Sequence, residues 1–333
     1  MACPAAWRRW YSASSLVRTP WAVSTSCAES SPAWHACHTV QAVSAPRLSS
    51  SARTVHHLMG RARDLESVID YLADSFAGAD VVVNAAGLAR PDGTDQDALV
   101  GANALLPLLI LAAAERTSVT RVIHLSTAAV QGSTPCLDET TQTDPFSPYS
   151  YSKALAERAL LRVLDREADT REGLPELVLL RATSVQGRGR STTQRLARFA
   201  GTPLSSVAGD GTAHTPVTSS EALAELVVGL GTFKGELPRI VLQPWEGATT
   251  ASILRDAGRR EPLHLPTVLC RAAVRLGYLI SSAAGSRWHG PLRRIEVTWF
   301  GQQQVPGWVQ EHDMLPAPAI TPVLRAVHTA QGC

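Results

Sequence analysis

Arg121–Gly132, RVIHLSTAAVQG, and then Ser147–Glu157, SPYSYSKALAE, decide how this chain is read. The first begins as an apolar strand-like run and ends near Ser126-Thr127. The second sets Tyr149 four residues before Lys153 at the start of a helix-forming run. On a helix, residues four apart share one face, about 6 Å apart along the axis. The spacing predicts a Lys153 ammonium beside the Tyr149 phenol, where it favours the phenolate. A tyrosine ionises at about pH 10, so a neighbouring cation is the usual way to make it a base at neutral pH. Tyr149 is therefore a candidate acid/base at a carbon bearing a hydroxyl or a carbonyl. Tyr-x-x-x-Lys also arises by chance on the first turn of a solvated helix, so its surroundings must carry the assignment.

Working outward, helical spacing of Leu65, Val68, Ile69 and Leu72 predicts a helix over Leu65–Phe76, ended by Gly78. Ala79–Leu88, ADVVVNAAGL, centres on Val81-Val82-Val83, the composition of a strand buried on both faces of a parallel sheet. Leu99–Arg116 reads as helix, Val119–Ser126 as strand, Pro148–Asp165 as helix with Pro148 in its first turn, and Leu177–Arg181 as strand. This alternation gives an α/β fold with a doubly wound parallel sheet, whose ligands sit outside the carboxyl ends of the strands. Asn84-Ala85-Ala86-Gly87 and Ser126-Thr127 both stand at such ends, so the motifs converge on one crevice.

Five blocks in order between Ala79 and Gly187 resemble the extended short-chain dehydrogenase/reductases of the nucleotide-sugar epimerase/dehydratase type. ADVVVNAAGL resembles that family's fourth strand and turn, and Asn103, opening NALLPLLILAAAE, the asparagine that begins its next helix. RVIHLSTAAVQG resembles its S-S/T-x-x-V-Y-G strand, with Gln131 at the tyrosine position. Tyr149 and Lys153 match its catalytic pair. Leu179–Gly187, LLRATSVQG, resembles its L-R-x-x-x-V-Y-G strand, with Gln186 at the tyrosine position. A looser likeness runs from Asp64, where Asp64-Leu65 resembles the end of the third strand, to Gly231.

The resemblance implies a Rossmann-like core that binds NAD or NADP. Tyr149 would exchange a proton with the substrate oxygen while hydride moves to or from the nicotinamide. Lys153 would also hold the nicotinamide ribose and Thr127 the reacting oxygen. Asp64, Leu65, Asn84, Ala85, Ala86 and Asn103 would line the cofactor, and Ser126, Thr127 and Ser184 the substrate. For Asn84–Gly87 a plain tight turn, and for Asn103 a helix-start cap, remain the alternatives. Tyr151 points to another helical face and reads as structural. The family's dehydratases carry Asp-Glu after the catalytic Thr; Ala128-Ala129 here disfavours elimination and leaves epimerases, keto-sugar reductases and hydroxysteroid-type dehydrogenases.

The first 59 residues hold no glycine. Dinucleotide-binding folds put a glycine-rich turn between first strand and first helix, because only glycine lets the backbone approach the pyrophosphate. The segment instead carries Trp7, Trp10, Trp21 and Trp34, Cys3, Cys27 and Cys37, and one acid, Glu29. A targeting segment, a degenerate half-domain and a translation artefact all fit, and the abrupt change in composition favours the last. The second strand's NAD/NADP selector is missing with it. Binding of either cofactor by the chain as written is in doubt, and a non-catalytic Rossmann-fold binding protein is the rival reading.

The 333 residues, 45% hydrophobic, suffice for a buried core, and 31 basic against 29 acidic residues suggest neither a nucleic-acid nor a membrane partner. The apolar run Ala104–Ala114 falls short of the roughly 20 residues of a membrane span. Six scattered cysteines suit a reduced, cytoplasmic setting, with organelle targeting through the Arg/Ser/Ala-rich start as the alternative. His35-Ala-Cys37-His38 has no second ligand cluster and is not read as a metal site. The organisation expected is residues 1–60 atypical, 61–187 a Rossmann-like core, and 188–333 a substrate lobe with a proline-rich surface tail over Pro306–Pro322. A helix is expected over Ser220–Gly231 and an amphipathic one over Leu269–Ser281. The substrate expected is a small molecule of the nucleotide-sugar class; the oligomeric state, a homodimer included, stays open.

Overall fold

The computed structural model describes residues 15–19, 41–89, 95–132, 134–166, 174–283, 285 and 288–327. Trp7, Trp10, Trp21 and Trp34, Glu29, Cys3, Cys27 and Cys37, and His35 and His38 lie outside these residues. Four parallel strands lie side by side in the order Ile240–Leu242, Glu176–Ala182, Arg121–Thr127, Val81–Asn84. Alternation along them buries Val82, Val122, Leu177 and Leu179 in one layer and Val81, Val83, Ile123, Val178 and Leu180 in the other. The helices Val55–Arg63, Glu66–Phe76, Leu106–Ala114 and Pro148–Arg166 cover the first face through Leu58, Leu72, Leu109 and Leu155. Ser220–Thr232 covers the other through Leu223, Leu226 and Leu230. The doubly wound parallel sheet is present as expected.

Its N-terminal edge departs from a glycine-turn unit. Ser15–Thr19 pairs antiparallel with Val81–Asn84, and Gln41–Ser44 pairs antiparallel with Ser15–Thr19, completing six strands. Nor does Asp64-Leu65 end a strand. Asp64 is the C-cap of Val55–Arg63 and Leu65 the residue before Glu66–Phe76, so the pair joins two helices. Val55, Leu58, Met59 and Ala62 place apolar side chains at helical spacing into the core, and Thr54 caps the helix by accepting from the His57 N–H. The helix also crosses the boundary expected at residue 60.

Gln96–Val100, a π-helical turn Gly101–Leu105, and Leu106–Ala114 form one continuous run. Its 19 residues are long and apolar enough to cross a membrane, but 78% of the apolar window is buried in the fold, as in a core helix. Beyond residue 188, Ile240–Leu242 and Ser220–Thr232 return to the central sheet. Ser191–Ala200, Thr250–Gly258 and Ile320–Arg325 enclose a separate small core around Val207, Leu254 and Leu324. Thr267–Ala283 is the expected amphipathic helix, and His289–Phe300 packs beside it. Pro306–Pro322 is not a surface tail: Val309 joins the sheet's second core, Ile320 the small one, and Glu246 accepts from the Ala319 and Ile320 N–H groups.

Candidate active site

The Pro148–Arg166 helix starts where Ser147 and Ser150 exchange hydrogen bonds around Pro148. Tyr149, Lys153 and Glu157 then fall at successive i, i+4 positions on the face turned to the end of Arg121–Thr127. Ser126 and Thr127 are neighbours on that strand, so their side chains leave it in opposite directions. The Thr127 side chain acts on the Tyr149 phenol, holding its pKa down against burial. It also accepts from the Ala129 N–H at 3.3 Å, which fixes its orientation. The Ser126 hydroxyl donates to the buried Glu157 carboxylate. Thr127 thus stands with the candidate acid/base, whereas Ser126, expected on the substrate, belongs to the core beneath it.

Lys153 is buried, and its ammonium donates to the Leu125 carbonyl at 2.8 Å. Burial pushes its pKa down to about 8, with the Glu157 carboxylate working in the opposite direction. Burial pushes the Tyr149 phenol above its ordinary value; the Thr127 hydrogen bond and the Arg190 guanidinium oppose this. The Arg190 guanidinium is thus a second cation beside the one that helical spacing placed near Tyr149. Lys153 donates to the Leu125 carbonyl, and Arg190 precedes the Ser191–Ala200 helix. Arg190 was not singled out from sequence, although it follows the LLRATSVQG strand by three residues.

Beside this pair, the turn after Val81–Asn84 is held by Asn103. Its side chain accepts from the Leu88 N–H (2.8 Å) and donates to the Leu88 carbonyl (3.1 Å) and the Ser152 hydroxyl (3.0 Å). Asn103 therefore braces backbone from within the π-turn and is not a helix cap, a role filled by Asp95. At Gly87 a Cβ would come within 2.7 Å of Asn103 Oδ1 and 3.5 Å of Lys153 Nζ, so glycine is required by close approach. Asn84 turns inward: its Oδ1 accepts from the Ala86 N–H at 3.1 Å, and its Nδ2 lies 3.0 Å from His124 Nδ1. What Asn84–Gly87 offers the crevice is backbone and small side chains. His124 is buried, and burial, then the Lys153 charge, hold its pKa well below the usual histidine value.

Under the site Arg181 and Glu157 form a buried ion pair, and Arg181 also donates to the carbonyls of Asp138 and Thr140. Gln131, where the resembled motif has tyrosine, donates to the Asp138 carboxylate and accepts from the Asp138 N–H. It pins the loop that Arg181 clasps. Ser184 is exposed on Ser184–Gln186, where its hydroxyl accepts from Gln186 Nε2. Asp64 is exposed at its helix junction, 3.8 Å from Arg61. The structure therefore brings Thr127, Tyr149, Lys153, Asn103 and Asn84–Gly87 together; no hydrogen bond or ion pair joins Ser184, Asp64 or Leu65 to them among the described residues.

The family described as "NAD dependent epimerase/dehydratase family" matches residues 27–228. No curated protein sequence matches the chain. Among solved structures, the UDP-glucuronic acid 4-epimerase from Bacillus cereus in complex with NAD is 18% identical, with a TM-score of 0.51 over 78% of this chain and 76% of that one. MoeE5 in complex with UDP-glucuronic acid and NAD is 17% identical, with a TM-score of 0.52 over 78% and 82%. The protein gox2253 is 16% identical, with a TM-score of 0.56 over 79% and 82%. At these identities the likeness is one of fold.

Proposed function

Because the chain belongs to the NAD-dependent epimerase/dehydratase family, we propose that it is an NAD(P)-dependent oxidoreductase or epimerase acting on a nucleotide-activated sugar. The observation that carries this reading is Thr127 at a parallel-strand end, acting on the Tyr149 phenol of the neighbouring helix, with Lys153 one helical turn further on. The sugar class is supported by the family and by neighbours that hold UDP-glucuronic acid.

The nicotinamide end of the site fits the cofactor. Lys153 has three N–H donors and spends one on Leu125, leaving two for ribose hydroxyls. Gly87 keeps clear the wall that a Cβ would crowd. The diphosphate end lacks a glycine turn in the first 59 residues. When bound, NAD(P) supplies a hydride acceptor or donor at the carbinol carbon. Tyr149 moves the matching proton at its phenolic oxygen, giving it to a carbonyl oxygen on reduction and taking it from a hydroxyl on oxidation. Thr127 aims that oxygen by a second hydrogen bond. Asn103, by holding Leu88, fixes the wall on which the ring would rest.

Turnover of a panel of nucleotide sugars with NAD and NADP, followed by mass spectrometry and NMR, tests the reading. Tyr149→Phe is expected to abolish turnover with cofactor affinity nearly unchanged. Activity within a few-fold of the parent in that variant would remove Tyr149 from the mechanism. The absent glycine turn favours one rival, a Rossmann-fold binding protein without catalysis, for which no substrate in the panel would turn over.

A further inference from the structure

The Thr267–Ala283 helix is apolar on two sides. Cys270, Val274 and Ser281 face inward, and at Gly277 a Cβ would meet Leu292 of His289–Phe300 at 2.6 Å, which sets how closely the two helices lie. The outward side carries Val268, Leu269, Leu276, Leu279 and Ile280, each between 51% and 78% exposed. At 100° per residue they form one continuous stripe with Ala272, Ala273 and Ala283. Trp288, 53% exposed, stands near the end of this helix, its N–H on the Ser281 hydroxyl. Contiguous apolar surface of this kind is rare on a monomer without a partner.

Charge indicates which partner. Between Pro262 and Gln304 the chain has five arginines and one carboxylate, Glu296. Arg271 and Arg275 border the apolar stripe on one side and line a cleft of about 550 Å³ with Cys136, Val274, Arg293 and Glu296. Arg293 is only 8% exposed; it pairs with Glu296 at 2.8 Å, yet its Nε has no partner. A second copy docked antiparallel about a two-fold axis would set this arginine border against its own image, which opposes that mode of self-association. An anionic lipid surface meets both features, since a helix lying in the interface buries leucine and tryptophan and turns arginine to the headgroups.

We propose that this face docks on an anionic phospholipid bilayer, the apolar stripe entering the acyl boundary and the Arg271–Arg275–Arg293 cleft taking headgroup phosphate. The near-neutral net charge gave no sign of such a partner because the excess of arginine is local. This surface lies in the substrate lobe and does not depend on the reading of the Tyr149 site.

The full-length protein is floated with phosphatidylcholine vesicles and with vesicles of equal parts phosphatidylcholine and phosphatidylglycerol. At least tenfold more protein is expected on the anionic vesicles, falling steeply with added salt. Leu276→Ser with Leu279→Ser, and separately Arg271→Gln with Arg275→Gln, should each cut binding at least tenfold with an unchanged circular dichroism spectrum, the sites being exposed. Equal recovery on both vesicle types would overturn the proposal, as would anionic binding that survives either double variant. So would a dimer in solution that Leu276→Ser dissociates, because the second copy would then be the occupant.

Discussion

Arg181 and Glu157 meet at 2.7 Å, at 0% and 1% side-chain exposure, directly beneath the strand end that carries Thr127. Arg181 comes from Glu176–Ala182 and Glu157 from the helix that carries Tyr149 and Lys153, so the pair ties that helix to the sheet. Glu157 also accepts from Ser126 and raises the pKa of Lys153 against the effect of burial. A buried ion pair can add little net stability over an apolar pair, but losing one member strands the other charge.

Glu157→Gln should therefore destabilise the fold by roughly 3–5 kcal/mol, by analogy with broken buried pairs. It should also lower the pKa of Lys153 further below about 8, because its nearest compensating charge is gone. Chemical denaturation measures the first and a pH titration of Lys153 by NMR the second. Glu157→Gln with Arg181→Met should recover part of the stability. A single variant as stable as the parent would mean the pair does not bind helix to sheet.

His124 predicts an acid-sensitive fold. Its pKa is held well below the ordinary histidine value by burial and by Lys153, so the unfolded chain takes up a proton on this ring before the folded one does. By linkage, stability from this group is complete above about pH 6.5 and is lost as pH falls toward the depressed value. Between pH 7 and pH 5 the loss should reach roughly 1–2 kcal/mol. Urea midpoints for the parent and for His124→Gln, which keeps an acceptor for Asn84, should converge at pH 5. A parallel pH dependence in the two proteins would discharge His124 from this role.

The parallel sheet was legible because Val81-Val82-Val83, the 121–126 run and the 177–181 run are continuous apolar strands, and their helices have clean boundaries at Pro148 and Gly78. The Val55–Arg63 helix was not, because His56, His57, Arg61 and Arg63 dominate a segment whose core contacts come from Leu58, Met59 and Ala62. In the site, helical spacing placed Tyr149 and Lys153 on one face but could not say where a flexible lysine ends: the Leu125 carbonyl and the Glu157 charge decide that, and both are tertiary. Strand alternation alone would have separated Ser126 from Thr127. Arg190 acts across a loop, a relation no local period encodes.

Cofactor affinity should be weak. Lys153 and the Asn84–Gly87 backbone can hold the nicotinamide ribose, but the first 59 residues supply no glycine for a turn against the diphosphate. Titration calorimetry of the full chain with NAD and with NADP is expected to give dissociation constants weaker than micromolar, and Lys153→Ala should remove the remaining heat. Micromolar binding of either dinucleotide would show that another segment replaces that turn.

Reaction type follows from what stands after Thr127. Ala128–Gln131 is a short 3₁₀ turn whose first two residues are alanines, so no carboxylate extends from it toward the substrate. The carboxylates nearby are engaged elsewhere: Asp138 accepts from Gln131 and Thr140, and Glu157 from Ser126 and Arg181. Elimination of water needs a group that takes a proton from the carbon beside the keto group and another that gives one to the departing hydroxyl. Hydride transfer at the carbinol needs only the phenol, the threonine hydroxyl and the cofactor. Products should therefore keep the substrate's mass on epimerisation or change it by two hydrogens on oxidation or reduction. Installing Asp and Glu by Ala128→Asp with Ala129→Glu should introduce a water-loss product only in the variant. A parent that releases a dehydrated sugar as its main product would place the eliminating acid and base on residues other than these.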